Sequence, residues 1–318
     1  MIEQIIVKND YASDNTLRLV LRDPEDPNTS KGFAVTSVKG LGPGKATLNS
    51  SEWVTIDGSE FQNARLPKRT ITLELTFIPT DYDESVADIR MKSYRYFPIK
   101  EHVRLEFKSV TNKMSETYYI DGRVEKNEPN IWSKQEGQTI DIVCFDPYFK
   151  NKQANEISFS DVISKFHYEW IDEDEDVNQD DPSPYETPEP LFLMSEKINY
   201  DVLTINNPSY VTTGGIFTIR ANGTVVNPSI FNETTYQRMI FYITMRAGDV
   251  IEIDTRKGYK SVILKKGFGE NIINTIDITS DWIEMVPGDN LVGFSCEDPA
   301  QRNHMDVKVK VRPIYAGI

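Results

Sequence analysis

The amino-acid sequence predicts a mainly β protein of two domains, the first β-sandwich-like with one helix and the second a β-sandwich of short strands. Three observations carry this prediction. Apolar and polar residues alternate over short runs, the two-residue period of a strand with one buried face. Turn dipeptides such as Asp57-Gly58, Asn222-Gly223 and Lys257-Gly258 recur between those runs. Residues 172–190 carry nine carboxylates, four prolines and no basic residue. Such a stretch cannot bury enough apolar surface to offset the entropy of ordering it. At 318 residues the chain exceeds the ordinary size of one core, and this stretch is its natural divider. The expected division is a first domain over 1–155, an acidic Pro-rich linker over 156–198 and a second domain over 199–318.

In the first domain, Leu17, Leu19 and Leu21 alternate as on a strand. Gly40-Leu-Gly-Pro-Gly-Lys45 marks a loop, and Ile56-Asp-Gly-Ser59 a turn. The clearest strand places Ile71, Leu73, Leu75 and Phe77 on one face and Thr72, Glu74 and Thr76 on the other. A helix is expected from about Glu84 to Tyr96, entered through an Asp81-x-x-Glu84 capping box and stopped by Pro98. Strands resume at Val103 to Phe107 and Thr117 to Ile120, turn at Asp121-Gly122, and end with Thr139 to Phe145 before Asp146-Pro147. Beyond the divider, strands are expected at Ile216 to Arg220, Met239 to Met245, Val250 to Asp254, Ser261 to Leu264, Leu291 to Ser295 and Val307 to Val311. Their spacing and turns are those of a sandwich.

The net charge of −14 is concentrated, because residues 151–200 hold 3 basic residues against 13 acidic ones while the flanking blocks are nearly balanced. Neither block has the basic excess that neutralises phosphates, so nucleic acid is not an expected partner. The apolar runs are too short to cross a bilayer, and the start lacks a signal peptide, so no membrane association is expected and synthesis is placed in a cytoplasm. Cys144 and Cys296 fall in different domains and read as two unpaired thiols.

Chemistry-bearing patterns fail one by one. The 40–45 loop has Lys39 and Ala46 where a phosphate loop needs Gly and Ser or Thr. Gly293-Phe-Ser-Cys-Glu297 lacks the second glycine of a nucleophile elbow. His102, His167 and His304 are far apart and lack metal-ligand spacing. The 172 run has Val177 and Ser183 where a calcium loop needs Gly and Glu. No catalytic, cofactor-binding or metal-binding residue is assigned, no cofactor is expected, and an enzyme is not the expected class.

Four segments of the first domain, in this order, resemble the distal tail proteins of long-tailed, siphovirus-type bacteriophages and related prophage tail particles. They are Gly40 to Asn49, Asp57 to Arg65 leading into the strand at Thr70 to Phe77, Arg95-Tyr-Phe-Pro98 with Val103 to Phe107, and Tyr118 to Glu125 running on to Cys144-Phe-Asp-Pro-Tyr-Phe149. The second domain is similar to that family's galectin-like carboxy-terminal domain through Asn227 to Asn232, Ala247 to Thr255 with Lys257-Gly-Tyr-Lys260, and Ser280-Asp-Trp282 with Pro287 to Asn290. The sugar-holding signatures of galectins are missing, since Trp282 is followed by Ile283-Glu284 and Asn227-Pro228 has no accompanying histidine.

The resemblance implies a virion structural protein that forms a homohexameric ring at the tail tip. The ring would connect the tail tube protein to the tail-tip hub, with its tail-associated lysin and receptor-binding apparatus. Segments around Gly40 to Asn63 and Thr70 to Ile78 are candidate ring faces, or else ordinary intramolecular sheet. The alternative is a carbohydrate-binding tail module whose second domain recognises host cell-surface polysaccharide.

Overall fold

Residues Arg69–Phe77 form the strand on which the first domain is built, with Ile71, Leu73, Leu75 and Phe77 buried and the intervening residues half-exposed, as the alternation predicts. The computed structural model describes residues 2–9, 16–20, 32–53, 57–79, 84–111, 114–132, 134, 136–164, 195–199 and 202–318. Within the first domain these give β1 (Ile2–Lys8), β2 (Thr16–Val20), β3 (Phe33–Lys39), β4 (Thr47–Glu52), β5 (Ser59–Arg65), β6 (Arg69–Phe77), α1 (Val86–Tyr96), β7 (His102–Thr111), β8 (Met114–Asn130), β9 (Gly137–Cys144) and β10 (Phe149–Asn151). One antiparallel sheet runs β2-β1-β7-β8-β9-β6-β3, and it curls until β2 lies against β3. Ile5, Val7, Leu19, Leu73, Leu105, Phe107 and Ile140 fill its interior.

The helix closes this core by burying Ile89, Tyr96 and the following Phe97. Its start differs from the expected one. Ser85 is the N-cap: its hydroxyl accepts from the Asp88 amide at 3.2 Å, and the Asp88 carboxylate accepts from the Ser85 amide at 3.0 Å. Glu84 pairs with Lys92 instead, and Asp81 lies outside the described residues. Two side chains hold the helix end, since Asn9 Nδ2 donates to the Tyr96 carbonyl at 3.1 Å and Asn127 Nδ2 to that of Phe97 at 2.9 Å.

The expected turn at Asp121-Gly122 is a continuous strand, because both residues pair with β7 inside the 17-residue β8. Gly122 is there for space, as a Cβ would stand 2.6 Å from Ile142 Cγ2 and 3.0 Å from Cys144 Sγ. Beyond it, a bulge between Val124 and Lys126 carries β8 along β9.

The remaining strands are β11 (Asn155–Ser158), β12 (Ser160–Ser164), β13 (Ser195–Asn199), β14 (Val202–Asn207), β15 (Thr213–Ala221), β16 (Val225–Val226), β17 (Ser229–Asn232), β18 (Gln237–Ile240), β19 (Thr244–Met245), β20 (Val250–Asp254), β21 (Ser261–Leu264), β22 (Glu270–Asn271), β23 (Glu284–Met285), β24 (Gly288–Ser295), β25 (Met305–Val311) and β26 (Ile314–Tyr315). One sheet runs β11-β25-β15-β20-β21-β22, with β23 also on β15, and a second runs β14-β24-β17-β18. Phe217, Ile219, Ile251, Val307 and Val309 share a core with Ile230, Met239, Val292 and Phe294. This is the sandwich expected of the second domain, with frequent short antiparallel strands. The run Met239 to Met245 is not one strand: it breaks after β18 because Phe241 bridges Ile276 and the Tyr242 amide donates to the Thr275 carbonyl at 2.7 Å.

Two chain paths join the sheets. The first passes from β10, paired with β8, to β11, paired with β25. The second passes from β25 to β26, which pairs back onto β10. Within the segment expected as a linker, residues 155–158 add a strand to the sandwich, and β12 pairs with β13 as a hairpin. The acidic stretch 172–190 lies outside the described residues.

Candidate functional site

Two of the three histidines fall among the described residues. His102 Nε2 stands 3.6 Å from Asp121, His304 Nδ1 lies 3.2 Å from the Thr224 carbonyl, and His167 is outside the described residues. Among the described residues there is no group of three His, Cys, Asp or Glu side chains able to hold a metal ion. Both cysteines are buried thiols, and burial pushes Cys144 up to about 12, which keeps it protonated and unreactive. No helix among the described residues is long and apolar enough to cross a membrane.

Two surfaces stand out. The first is the hairpin β4–β5, which pairs with no other strand of the described chain. Asp57-Gly58 leads into β5, with Gly58 at φ 106°, a conformation that favours glycine. Asn49 Nδ2 donates to Asn63 Oδ1 across it at 2.7 Å. Every residue of β5 is exposed, and Leu48, Trp53 and Phe61 are 67, 62 and 63% exposed.

The hairpin's base is held firmly. Gly40, at φ 89°, brings its backbone so close to β6 that a Cβ would lie 2.3 Å from the Thr70 carbonyl. Arg69 is buried under that loop: its Nη1 donates to the Gly40 carbonyl at 3.0 Å, its Nη2 to the Ala316 carbonyl, and its guanidinium covers the Phe149 ring at 4.7 Å. Burial lowers its pKa. The Ile318 amide donates to the Leu41 carbonyl at 3.0 Å, and Tyr315 meets Tyr118 edge-on at 5.1 Å. Residues 314–318, which follow the last strand of the sandwich, therefore strap the loop from which the hairpin springs.

The second surface is a cleft of about 530 Å³ between the two domains. The first domain contributes Phe145 to Tyr148 and Lys150, and the second contributes Thr212 to Gly214, Thr255 to Tyr259 and Glu284. Arg312 and Ile314, on the returning path, complete the wall. Lys150 pairs with Asp146 at 2.9 Å; burial works against its charge, but Asp146 outweighs this and its pKa rises. Arg256 is held by Asp254 through contacts of 2.9 and 2.6 Å, which raise its pKa against the opposing effect of burial. Tyr259 lies 5.0 Å from the Arg256 guanidinium and 5.8 Å from Lys150 Nζ.

The segments around Gly40 to Asn63 and Thr70 to Ile78 separate here: the first presents the exposed hairpin, whereas the second is interior sheet, β6 being flanked by β3 and β9. Arg69, Tyr119 and Arg312 were not legible in the sequence. Their partners lie far away in the chain, and an Arg beside a strand reads as a solvated charge.

The architecture thus defines a class: a two-domain β protein whose first domain carries a projecting hairpin and whose second is an antiparallel sandwich. Residues 209–315 match the family model described as the siphovirus-type tail component, C-terminal domain, which bears out the resemblance seen in the sequence. The crystal structure of the Dit protein of phage SPP1, described as a paradigm of the hub adsorption apparatus in phages infecting Gram-positive bacteria, shares the fold. It is 12% identical, with 98% of each chain covered and a TM-score of 0.59. A chain of the phage P2 baseplate in its calcium-activated conformation is 13% identical over 98% of each chain, with a TM-score of 0.44. Comparison with curated protein sequences finds no match.

Proposed function

We propose that this chain is a structural component of a phage tail tip, located in the virion, which assembles into a closed ring of six copies. The observation that carries this reading is the match of residues 209–315 to the siphovirus-type tail component domain. The ring joins the tail tube protein on one side to the tail-tip hub, with its lysin and receptor-binding proteins, on the other. The division 1–155, 156–198 and 199–318 assigns ring building to the first domain. No catalytic step, cofactor, nucleic acid or membrane is part of the reading.

The hairpin supports self-association. A two-stranded hairpin is marginal alone in water, and this one spends Leu48, Trp53 and Phe61 on solvent. In a ring, one heterologous interface repeats until it closes, so the hairpin of one copy would rest on a different face of the next. The purified chain, examined by light scattering and electron microscopy with and without tail-tube and hub partners, should give closed six-membered rings. A strictly monomeric species at high concentration and with those partners present would sink the proposal.

A further inference from the structure

In a chain of net charge −14, the interdomain cleft gathers Lys150, Arg256, Lys257 and Arg312. Three of these have carboxylates nearby: Asp146 for Lys150, Asp254 for Arg256 and, at 3.9 Å, Glu284 for Lys257. Arg312 differs. Its Nη1 donates to the Tyr119 hydroxyl at 2.6 Å, and its guanidinium lies 5.7 Å from that ring. No carboxylate among the described residues pairs with it. Its Nε is buried without an acceptor among the described residues. The same side chain also lines a small adjoining cavity with Ala154 and Lys310.

Aromatic surface flanks this cation. Phe145 and Tyr259 both line the cleft and are 68 and 53% exposed, with the Tyr259 ring fixed between Arg256 and Lys150. A guanidinium presents a planar fork that matches the paired oxygens of a phosphate or carboxylate, and the space suits a small organic molecule. We propose that the cleft is a binding site for a small ligand in which an oxyanion is carried on an apolar or ring-shaped body. Arg312 receives the anion, and Phe145 and Tyr259 flank the body. Because the walls come from both domains, the occupied site ties them together. The proposal stands independently of ring formation.

The test is calorimetric titration of the full chain with phenyl phosphate, benzoate, inorganic phosphate and the neutral benzyl alcohol. Saturable binding of phenyl phosphate or benzoate is expected, weaker binding of inorganic phosphate, and none of benzyl alcohol. Which aromatic anion binds more tightly separates a phosphate-bearing from a carboxylate-bearing ligand. Arg312→Gln should weaken binding by about tenfold or more, Arg312→Lys should restore part of it, and Lys126→Gln, on a surface away from the cleft, should change nothing. Failure of all three anions to bind, equal binding of benzyl alcohol, or unchanged affinity in Arg312→Gln would overturn the proposal. Should Arg312→Gln not fold by circular dichroism, Tyr259→Ala decides instead. Loss of the aromatic anions' advantage over inorganic phosphate supports the site, and its persistence refutes it.

Discussion

Strands β5 and β6 follow one another in the chain, have similar lengths and share the same extended geometry, yet one is exposed at every residue and the other buries one whole face. The difference lies in their neighbours. β6 has β3 on one side and β9 on the other, with a core beneath, so each apolar side chain leaves water. Among the described residues β5 has only β4, and Phe61 stays 63% exposed. Alternation therefore reveals a strand, while its burial depends on what packs against its faces.

Substitutions can break this contrast. The largest effect is expected of Leu73→Asp, which places an unpaired carboxylate in the core of the curled sheet. It should cost more than about 3 kcal/mol and abolish folding, read as loss of the cooperative melt and of soluble protein. A soluble variant with a wild-type melting temperature would refute the buried register of β6.

Next comes Glu106, a buried carboxylate that accepts from Lys8 at 2.6 Å and lies 3.3 Å from Lys152. Burial opposes its ionisation, but the two lysines outweigh it and hold its pKa below the ordinary value. A depressed folded-state pKa contributes stability above the unfolded-state value, and that contribution is lost as pH falls through the folded one. Glu106→Gln should thus destabilise by about 1–3 kcal/mol at neutral pH and make little difference at a pH well below 4. Denaturant melts at both pH values check this, and a constant difference across pH would refute the ion-pair account.

Ser85→Ala removes one half of the capping box and should cost about 1 kcal/mol, seen as a lower midpoint with unchanged denaturant slope. The smallest effect on stability is expected of Phe61→Ser, within about 0.5 kcal/mol, because its ring is already in water. The same change should abolish ring assembly in light scattering. If assembly survives while the hairpin remains folded, β5 is not the contact face.

Much of this fold was legible because short-range chemistry determines it. Ile71 to Phe77, the Asp57-Gly58 lead into β5 and the strands Val250–Asp254 and Ser261–Leu264 announce themselves by alternation and turn residues. Where long-range packing decides, the sequence misleads. Asp121-Gly122 has the composition of a turn, but Gly122 serves the approach of Ile142 and Cys144 from the neighbouring strand. Met239 to Met245 has the composition of a strand, but Ile276 interrupts it. The cap expected from Asp81-x-x-Glu84 instead falls at Ser85, where the hydroxyl and the Asp88 carboxylate satisfy each other's backbone amides, a geometry that spacing alone does not announce. The cleft was invisible for a stronger reason: Lys150, Tyr259 and Arg312 come from three distant parts of the chain.

The return of β26 onto β10 also bears on motion. A pair of domains joined by one connection can swivel about it, whereas here the backbone crosses between the two sheets near residues 152–154 and again near 312–313. Two crossings act as parallel rails: twisting would have to tear β26 from β10, while bending across the rails leaves both intact. Twisting of one domain against the other is thereby opposed by backbone hydrogen bonds as well as by chain connectivity.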